Sequence, residues 1–90
     1  MEMYATTKDN IIKILYVLKE AKGSPLYISY MARHLKLHRF TISRLINLYF
    51  KDFIDDQTVG NMRFITLKDP TLTLEQILKT KELRKQLRDI

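Results

Sequence analysis

Two helical patterns of apolar residues follow one another across residues 28–53, and only residues 36–38 separate them. The apolar face of the first pattern carries Ile28, Met31 and Leu35. Ala32 lies beside that face, and its side chain is small enough for two helices to approach each other closely. The sequence therefore predicts two helices, joined by a tight break, that pack against each other.

The second helix of this pair, predicted for residues 39–53, has two faces of opposite character. Its apolar face is made by Ile42, Leu45, Ile46, Tyr49 and Phe53. Its other face carries Phe40, Arg44, Asn47 and Lys51, flanked by Ser43. Arginine binds guanine and asparagine binds adenine through paired hydrogen bonds, and apolar groups contact the thymine methyl. The free face thus holds groups that read base edges.

The charge of the middle third of the chain has one sign. No acidic residue lies between Glu20 and Asp52, and the basic residues of that interval are Lys22, Arg33, Lys36, Arg39, Arg44 and Lys51, with His34 and His38. The whole chain has 16 Lys and Arg against 10 Asp and Glu, a formal net charge of +6. Solvated surfaces usually mix both signs, so the segregation favours an anionic partner, nucleic acid first. Chance segregation on a solvated face is the alternative.

A first helix is predicted for residues 6–22, between threonines that can cap its start and the Gly23 and Pro25 that follow its end. Its core stripe consists of Ile11, Ile14, Leu15 and Leu18. Ile12 and Tyr16 lie off that stripe and give the helix a second apolar side. We expect this side to pack either under a terminal segment or against another subunit, in which case both residues take part in dimerisation.

The residues around the helix pair predict a small amount of β-structure. Leu26 and Tyr27 form a short strand-like segment before it. After it, residues 54–58 and 62–67 are β-compatible runs, joined by a turn that contains Gly60 and Asn61. These two runs predict a hairpin with Arg63 near its tip.

A last helix is predicted from Leu74 to about Asp89, after a capping box of Thr73 and Gln76. Leu74, Ile77 and Leu78 share one face of it, whereas Leu83, Leu87 and Ile90 project from the opposite side. One domain cannot bury both faces, so we expect the second half of the helix to pack on a symmetric copy. A frayed C-terminus is the alternative.

Length and composition exclude several classes of protein. Ninety residues favour a single domain with no separate catalytic lobe. The absence of cysteine excludes disulfides, thiolate zinc sites and a thiol nucleophile, and no catalytic or phosphate-binding motif occurs, so we expect no enzyme activity. His34 and His38 are four residues apart, but the break between them spoils the helical spacing. No metal or other cofactor is therefore expected.

The run ISYMARHLKLHRFTISRLINLYF, residues 28–50, resembles the helix-turn-helix of bacterial and archaeal regulators. With a helix in front, a hairpin behind and a final helix, the whole chain resembles a winged helix-turn-helix domain of the MarR, ArsR or PadR sort. The resemblance implies a mainly α fold with a small β-hairpin: a three-helix core, a two-stranded wing and an extra C-terminal helix. Residues 1–70 would form the DNA-binding domain and residues 71–90 the dimerisation element.

The resemblance also implies a role for each candidate residue. The helix over residues 39–53 would enter the major groove of DNA. Phe40, Ser43, Arg44 and Asn47 would face bases, Arg33, Lys36, Arg39, Thr41 and Lys51 would lie at phosphates, and Gly60, Asn61 and Arg63 would form the wing. Lys36 stands where the family usually has glycine, and His38 where it usually has Ser, Thr or Asp; both keep or add positive charge beside this face.

The sequence therefore predicts a dimeric, sequence-specific DNA-binding protein that represses transcription from a pseudo-palindromic site, without a small-molecule effector. We expect it to be soluble and cytoplasmic, associated with the nucleoid, and of archaeal, plasmid or viral source. A partition or chromatin-like DNA-binding protein is an alternative within the same class. In a different class, a winged-helix interaction module would use Phe40 and the last-helix leucines to bind a protein. A third interpretation of Phe40 is that its ring caps the core.

Overall fold

The computed structural model describes the backbone of residues 5–88 and the side chains of residues 6–81. Within these residues the fold is mainly helical, with four α-helices and a small antiparallel sheet of three strands. In chain order the elements are α1 (Ala5–Glu20), β1 (Leu26–Tyr27), α2 (Ile28–Leu35), α3 (Arg39–Leu45), β2 (Ile54–Val59), β3 (Met62–Leu67) and α4 (Leu74–Arg88). No helix in the described part of the chain is long and apolar enough to cross a membrane.

The sheet contains one strand more than the predicted two-stranded hairpin. Its strand order is β1-β3-β2, because the short strand β1 pairs with β3 through Leu26–Ile65 and Tyr27–Phe64. β2 and β3 form the predicted hairpin, closed by the two-residue loop Gly60–Asn61. Gly60 has a φ of +61°, a conformation that costs glycine little and other residues more. The β1 pairing joins the middle of β3 to the segment that leads into α2.

The core lies where α1, α2, α3 and the sheet meet. Its fully buried side chains come from all four α-helices and from β3, and they include Ile11, Ile14, Met31, Ile42, Leu45, Ile65 and Ile77. Within the described residues, no polar or charged residue is buried. The buried side of the helices that carry the candidate site is therefore packed by apolar side chains.

The helix predicted as continuous over residues 39–53 changes its geometry at Ile46. A π-helical turn covers Ile46–Phe50 and a 3₁₀ turn covers Lys51–Phe53. The wider π turn advances the chain through a smaller angle per residue, so it brings Phe50 to the centre of the buried face. Phe50 is completely buried, whereas Tyr49 is only half-buried and has the Lys81 ammonium 5.0 Å from its ring centre. Tyr49 packs partly buried against the core, on the side that the sequence predicts, and Phe50 is the buried ring that the helical pattern did not include.

The start of α4 follows the sequence prediction. The Gln76 side-chain oxygen accepts a hydrogen bond from the Thr73 backbone N–H at 2.9 Å, and Thr73 Oγ1 accepts one from the Gln76 N–H at 3.3 Å. This is the reciprocal capping box. Just before it, hydrogen bonds from the Thr71 hydroxyl and backbone N–H lower the pKa of the Asp69 carboxyl.

The apolar residues of α4 follow the prediction as far as its side chains are described. Ile77 is fully buried, and Leu74 and Leu78 pack against the core beside it. The side chains of Leu83, Leu87 and Ile90 lie outside the described residues. Their assignment to a dimer interface stays a prediction.

Candidate nucleic-acid interface

Three side chains form an exposed surface on α3 and the turn after it, which we call the α3 face: Phe40, Arg44 and Asn47. They recur at intervals of four and three residues, so helical geometry aligns them on the side opposite Ile42 and Leu45. Thr41 and Ser43 are half-buried at the borders of this face, which leaves them less accessible than the three that define it. The structure thus brings together the central residues of the predicted site.

Exposed basic side chains flank the α3 face. Arg33 and Lys36 lie at the end of α2, Arg39 begins α3, and Lys51 begins the 3₁₀ turn. Within the described residues, these four cations and Arg44 form no ion pair. The two ion pairs among those residues join Arg63 to Asp56 and Lys68 to Asp55. The positive charge of this surface is therefore left for an external anion.

Phe40 is exposed to solvent over 77% of its surface. The interpretation that its ring caps the core was therefore wrong. The ring stacks instead on the imidazole of His38, with the ring centres 5.2 Å apart and the planes at 17°. A large apolar ring that the core does not cover, surrounded by cations, is a group available for contact with a partner.

His38 caps the start of α3. Its Nδ1 accepts a hydrogen bond from the Phe40 backbone N–H at 3.2 Å, the role that a Ser, Thr or Asp side chain usually performs. The preceding turn is built around Lys36, whose φ of 57° is left-handed and whose backbone N–H donates to the Ala32 carbonyl. For a residue with a Cβ this conformation costs about 1–2 kcal/mol. Lys36 and His38, the two departures from the usual turn residues, thus keep the geometry of the turn, and the left-handed Lys36 lowers its stability.

Replacing His38 with alanine should lower the free energy of unfolding by about 1 kcal/mol, because the first turn of α3 loses its cap. Urea denaturation followed by circular dichroism measures this change. His38→Ser restores an acceptor at the same position and should recover most of the loss. If the serine variant were as unstable as the alanine variant, the stacking on Phe40 rather than the cap would account for the effect of His38.

Arg63 lies near the tip of the hairpin, as the sequence predicts, but its side chain does not extend from the tip. It lies opposite Thr58, one pair below the tip, and its guanidinium turns back toward the α3 face. Arg63 Nε donates to the two Asp56 carboxylate oxygens at 2.9 and 3.0 Å, and Nη2 donates to Asp56 and to Asn47 Oδ1, the latter at 2.7 Å. We call this group of three residues the hairpin clamp. Its guanidinium is held by these bonds, and its assignment to a wing that contacts DNA stays a prediction.

Asp56 is the member of the clamp that sequence reasoning missed. In the hairpin register Asp56 lies opposite Ile65, which makes Arg63 its diagonal cross-strand neighbour. This pairing of Asp56 with Arg63 can be inferred from the sequence once residues 54–59 and 62–67 are placed opposite each other with Gly60–Asn61 as the loop. The contact with Asn47 could not be read in this way, since it depends on how the hairpin packs on the π turn. A cleft of about 340 Å³ lies there, with the clamp residues, Lys51 and two isoleucines in its walls.

The hairpin tip itself is apolar. Val59 and Met62 form the last pair of the ladder and are 64% and 43% exposed. Asn61 in the loop is exposed and remains the one polar side chain of the predicted wing tip among residues 59–62. The tip therefore presents two apolar side chains beside one amide.

The predicted second apolar side of α1 is exposed. Ile12 and Tyr16 are accessible over 40% and 66% of their surfaces, and they border a shallow groove of about 240 Å³ with His34 and Leu35 of α2. Within the described residues, no segment packs over both side chains. Their assignment to dimerisation stays a prediction.

The two histidines of the region belong to separate ring stacks. His34 stacks on Tyr30, with ring centres 5.6 Å apart, while His38 stacks on Phe40. Among the described residues, no three His, Cys, Asp or Glu side chains gather as metal ligands would. Comparisons of this chain with protein-family models, with curated proteins and with solved structures find no match.

Proposed function

We propose that this chain is a winged helix-turn-helix protein that binds double-stranded DNA in a sequence-specific manner, as a dimeric transcriptional repressor. The observation that carries the proposal is the α3 face, an exposed arginine, amide and aromatic ring among cations that form no ion pair within the described residues. The order of the elements, with a hairpin after the helix pair, supports the winged-helix part of the proposal.

The uncompensated cations favour a polyanion over a neutral or acidic protein surface. DNA carries one negative charge for about every 1.7 Å of its axis, so several cations spread over α2, α3 and the turn after α3 can each meet a phosphate. Arg33, Lys36, Arg39 and Lys51 border the α3 face and would hold it against the groove. They would fix the position of α3 while Arg44 contacts bases.

The proposal predicts a steep dependence of DNA affinity on salt. Four phosphate contacts in each protomer correspond to a slope of log K against log salt of about −4 per protomer. Fluorescence anisotropy with a mixed-sequence duplex across a salt series measures this slope. The double variant Arg33→Ala, Lys36→Ala should reduce it in magnitude by about 2 per protomer, since two phosphate contacts are lost.

Lys13 provides the matched control, because it is an exposed cation on α1 outside this surface. Lys13→Ala should leave the slope nearly unchanged. If the chain bound no duplex even at low salt, the proposal would fail, and the exposed ring of Phe40 would point to a protein-interaction module instead. If the Lys13 variant reduced the slope as much as the double variant, the surface assigned to DNA would be wrong.

A further inference from the structure

We infer that Asn47 acts toward DNA as a hydrogen-bond donor and selects guanine over adenine at the base pair it contacts. The inference rests on the proposed function, because it concerns the base edge that meets the α3 face. It replaces the expectation from sequence that the asparagine amide binds adenine through two hydrogen bonds.

The hairpin clamp fixes which end of the Asn47 amide is held by the protein. An arginine guanidinium has only donors, so the atom 2.7 Å from Arg63 Nη2 has to be the amide oxygen. Asp56 in turn binds the guanidinium through both of its carboxylate oxygens. The guanidinium therefore cannot turn away from Asn47 without losing these bonds. The Asn47 Nδ2 group, with its two hydrogens, is the end that remains for a partner.

This orientation decides which base edges the amide can bind. Binding adenine through two hydrogen bonds requires the amide to accept from N6 and donate to N7 at the same time. In this protein Oδ1 already accepts a charge-assisted hydrogen bond from Arg63, so adenine N6 would have to share this oxygen with the guanidinium, which weakens it as an acceptor for a second bond. Guanine presents two acceptors, O6 and N7, and no donor on its major-groove edge. The NH₂ group of Asn47, which has no hydrogen-bond partner among the described residues, can donate to that edge.

Asp56 and Arg63 are therefore positioning residues for this contact. Asp56 contributes an acid 37% exposed at its side chain, near the proposed DNA surface, where a free carboxylate would repel phosphate. Its pairing with Arg63 neutralises that charge. The clamp thus sets the orientation of one amide and removes an unfavourable charge.

The test begins with selection of preferred sites from randomised duplexes by the wild type and by Asn47→Ala. The base pair whose preference the alanine variant loses is the one that Asn47 contacts. In a fixed duplex, the wild type should bind guanine at this position about tenfold more tightly than adenine. Inosine, which keeps O6 and N7, should bind like guanine, whereas 7-deazaguanine should bind more weakly because it lacks N7.

Arg63→Met should release the amide and reduce the tenfold preference for guanine to about twofold, since the freed side chain can also bind adenine. Lys68→Met is the matched control: it removes a cation that pairs with Asp55 at the base of the same hairpin and does not touch Asn47. It should leave the ratio unchanged. If Arg63→Met does not fold by circular dichroism, Asp56→Asn, which weakens the anchor, should show the same reduction.

Three results would overturn the inference. If the wild type preferred adenine at the Asn47 position, the inference would be wrong and DNA binding would remain. The same conclusion would follow if the wild type and Asn47→Ala selected identical sites. A guanine preference unchanged in a folded Arg63→Met variant would show that the clamp does not set the amide. If the wild type bound no duplex, the proposed function would fail and this inference with it.

Discussion

Replacing Phe50 with alanine is expected to lower the free energy of unfolding by about 3–5 kcal/mol. The side chain is fully buried at the end of the π turn, among residues of the main core. Its removal leaves a cavity that the surrounding helices and strands can fill only partly, so both the lost burial and the cavity add to the cost. Urea denaturation of the wild type and of the variant measures the difference.

Tyr49 is the matched control, because it is the aromatic neighbour that the sequence pattern places inward. Tyr49 is half-buried and its ring lies under the Lys81 ammonium, so Tyr49→Ala should cost less than Phe50→Ala. The π turn decides which of the two rings is inside. If Tyr49→Ala destabilised the chain more than Phe50→Ala, the helix would continue with α-helical periodicity and the π turn would be wrong.

The order and type of the elements could be predicted from the sequence because each has a local signal. Gly23, Pro25 and the Thr73–Gln76 capping box mark helix ends, and Gly60–Asn61 marks the hairpin loop. The π turn could not be predicted, since Ile46–Phe50 also fits an α-helix and only packing selects the wider turn. The third strand is the pairing of a two-residue segment, which gains its hydrogen bonds only when β3 is beside it.

The candidate site also has features that the sequence predicts and features that depend on tertiary packing. The exposure of Phe40, Arg44 and Asn47 follows from helical periodicity and was predictable. The hairpin clamp was not, because Arg63 and Asn47 are sixteen residues apart and meet only through tertiary packing. The sequence pattern gave Asn47 and Arg63 separate roles, whereas the structure joins them by a hydrogen bond.

Arg44→Ala should weaken binding to the preferred DNA site by about 1–3 kcal/mol, or about 5- to 150-fold, and should relax preference at one base pair in each half-site. Arg44 is exposed at the centre of the α3 face, one turn from Phe40, and within the described residues no carboxylate pairs with it. Its guanidinium is therefore free to bind the O6 and N7 acceptors of guanine together. Anisotropy measurements on the selected site and on a scrambled duplex test this, and a dimer would show two such positions about 34 Å apart.

Two variants separate base recognition from charge. Arg44→Lys keeps the positive charge but not the paired donors, so it should lose most of the discrimination while binding the scrambled duplex almost as tightly as the wild type. Arg39→Ala removes a cation assigned to phosphate, so it should weaken binding to all duplexes alike and reduce the salt slope by about 1 per protomer. If Arg44→Ala lowered affinity equally for every sequence, Arg44 would be a phosphate contact. The bases would then be read by Asn47 and Phe40, the other two residues of the α3 face.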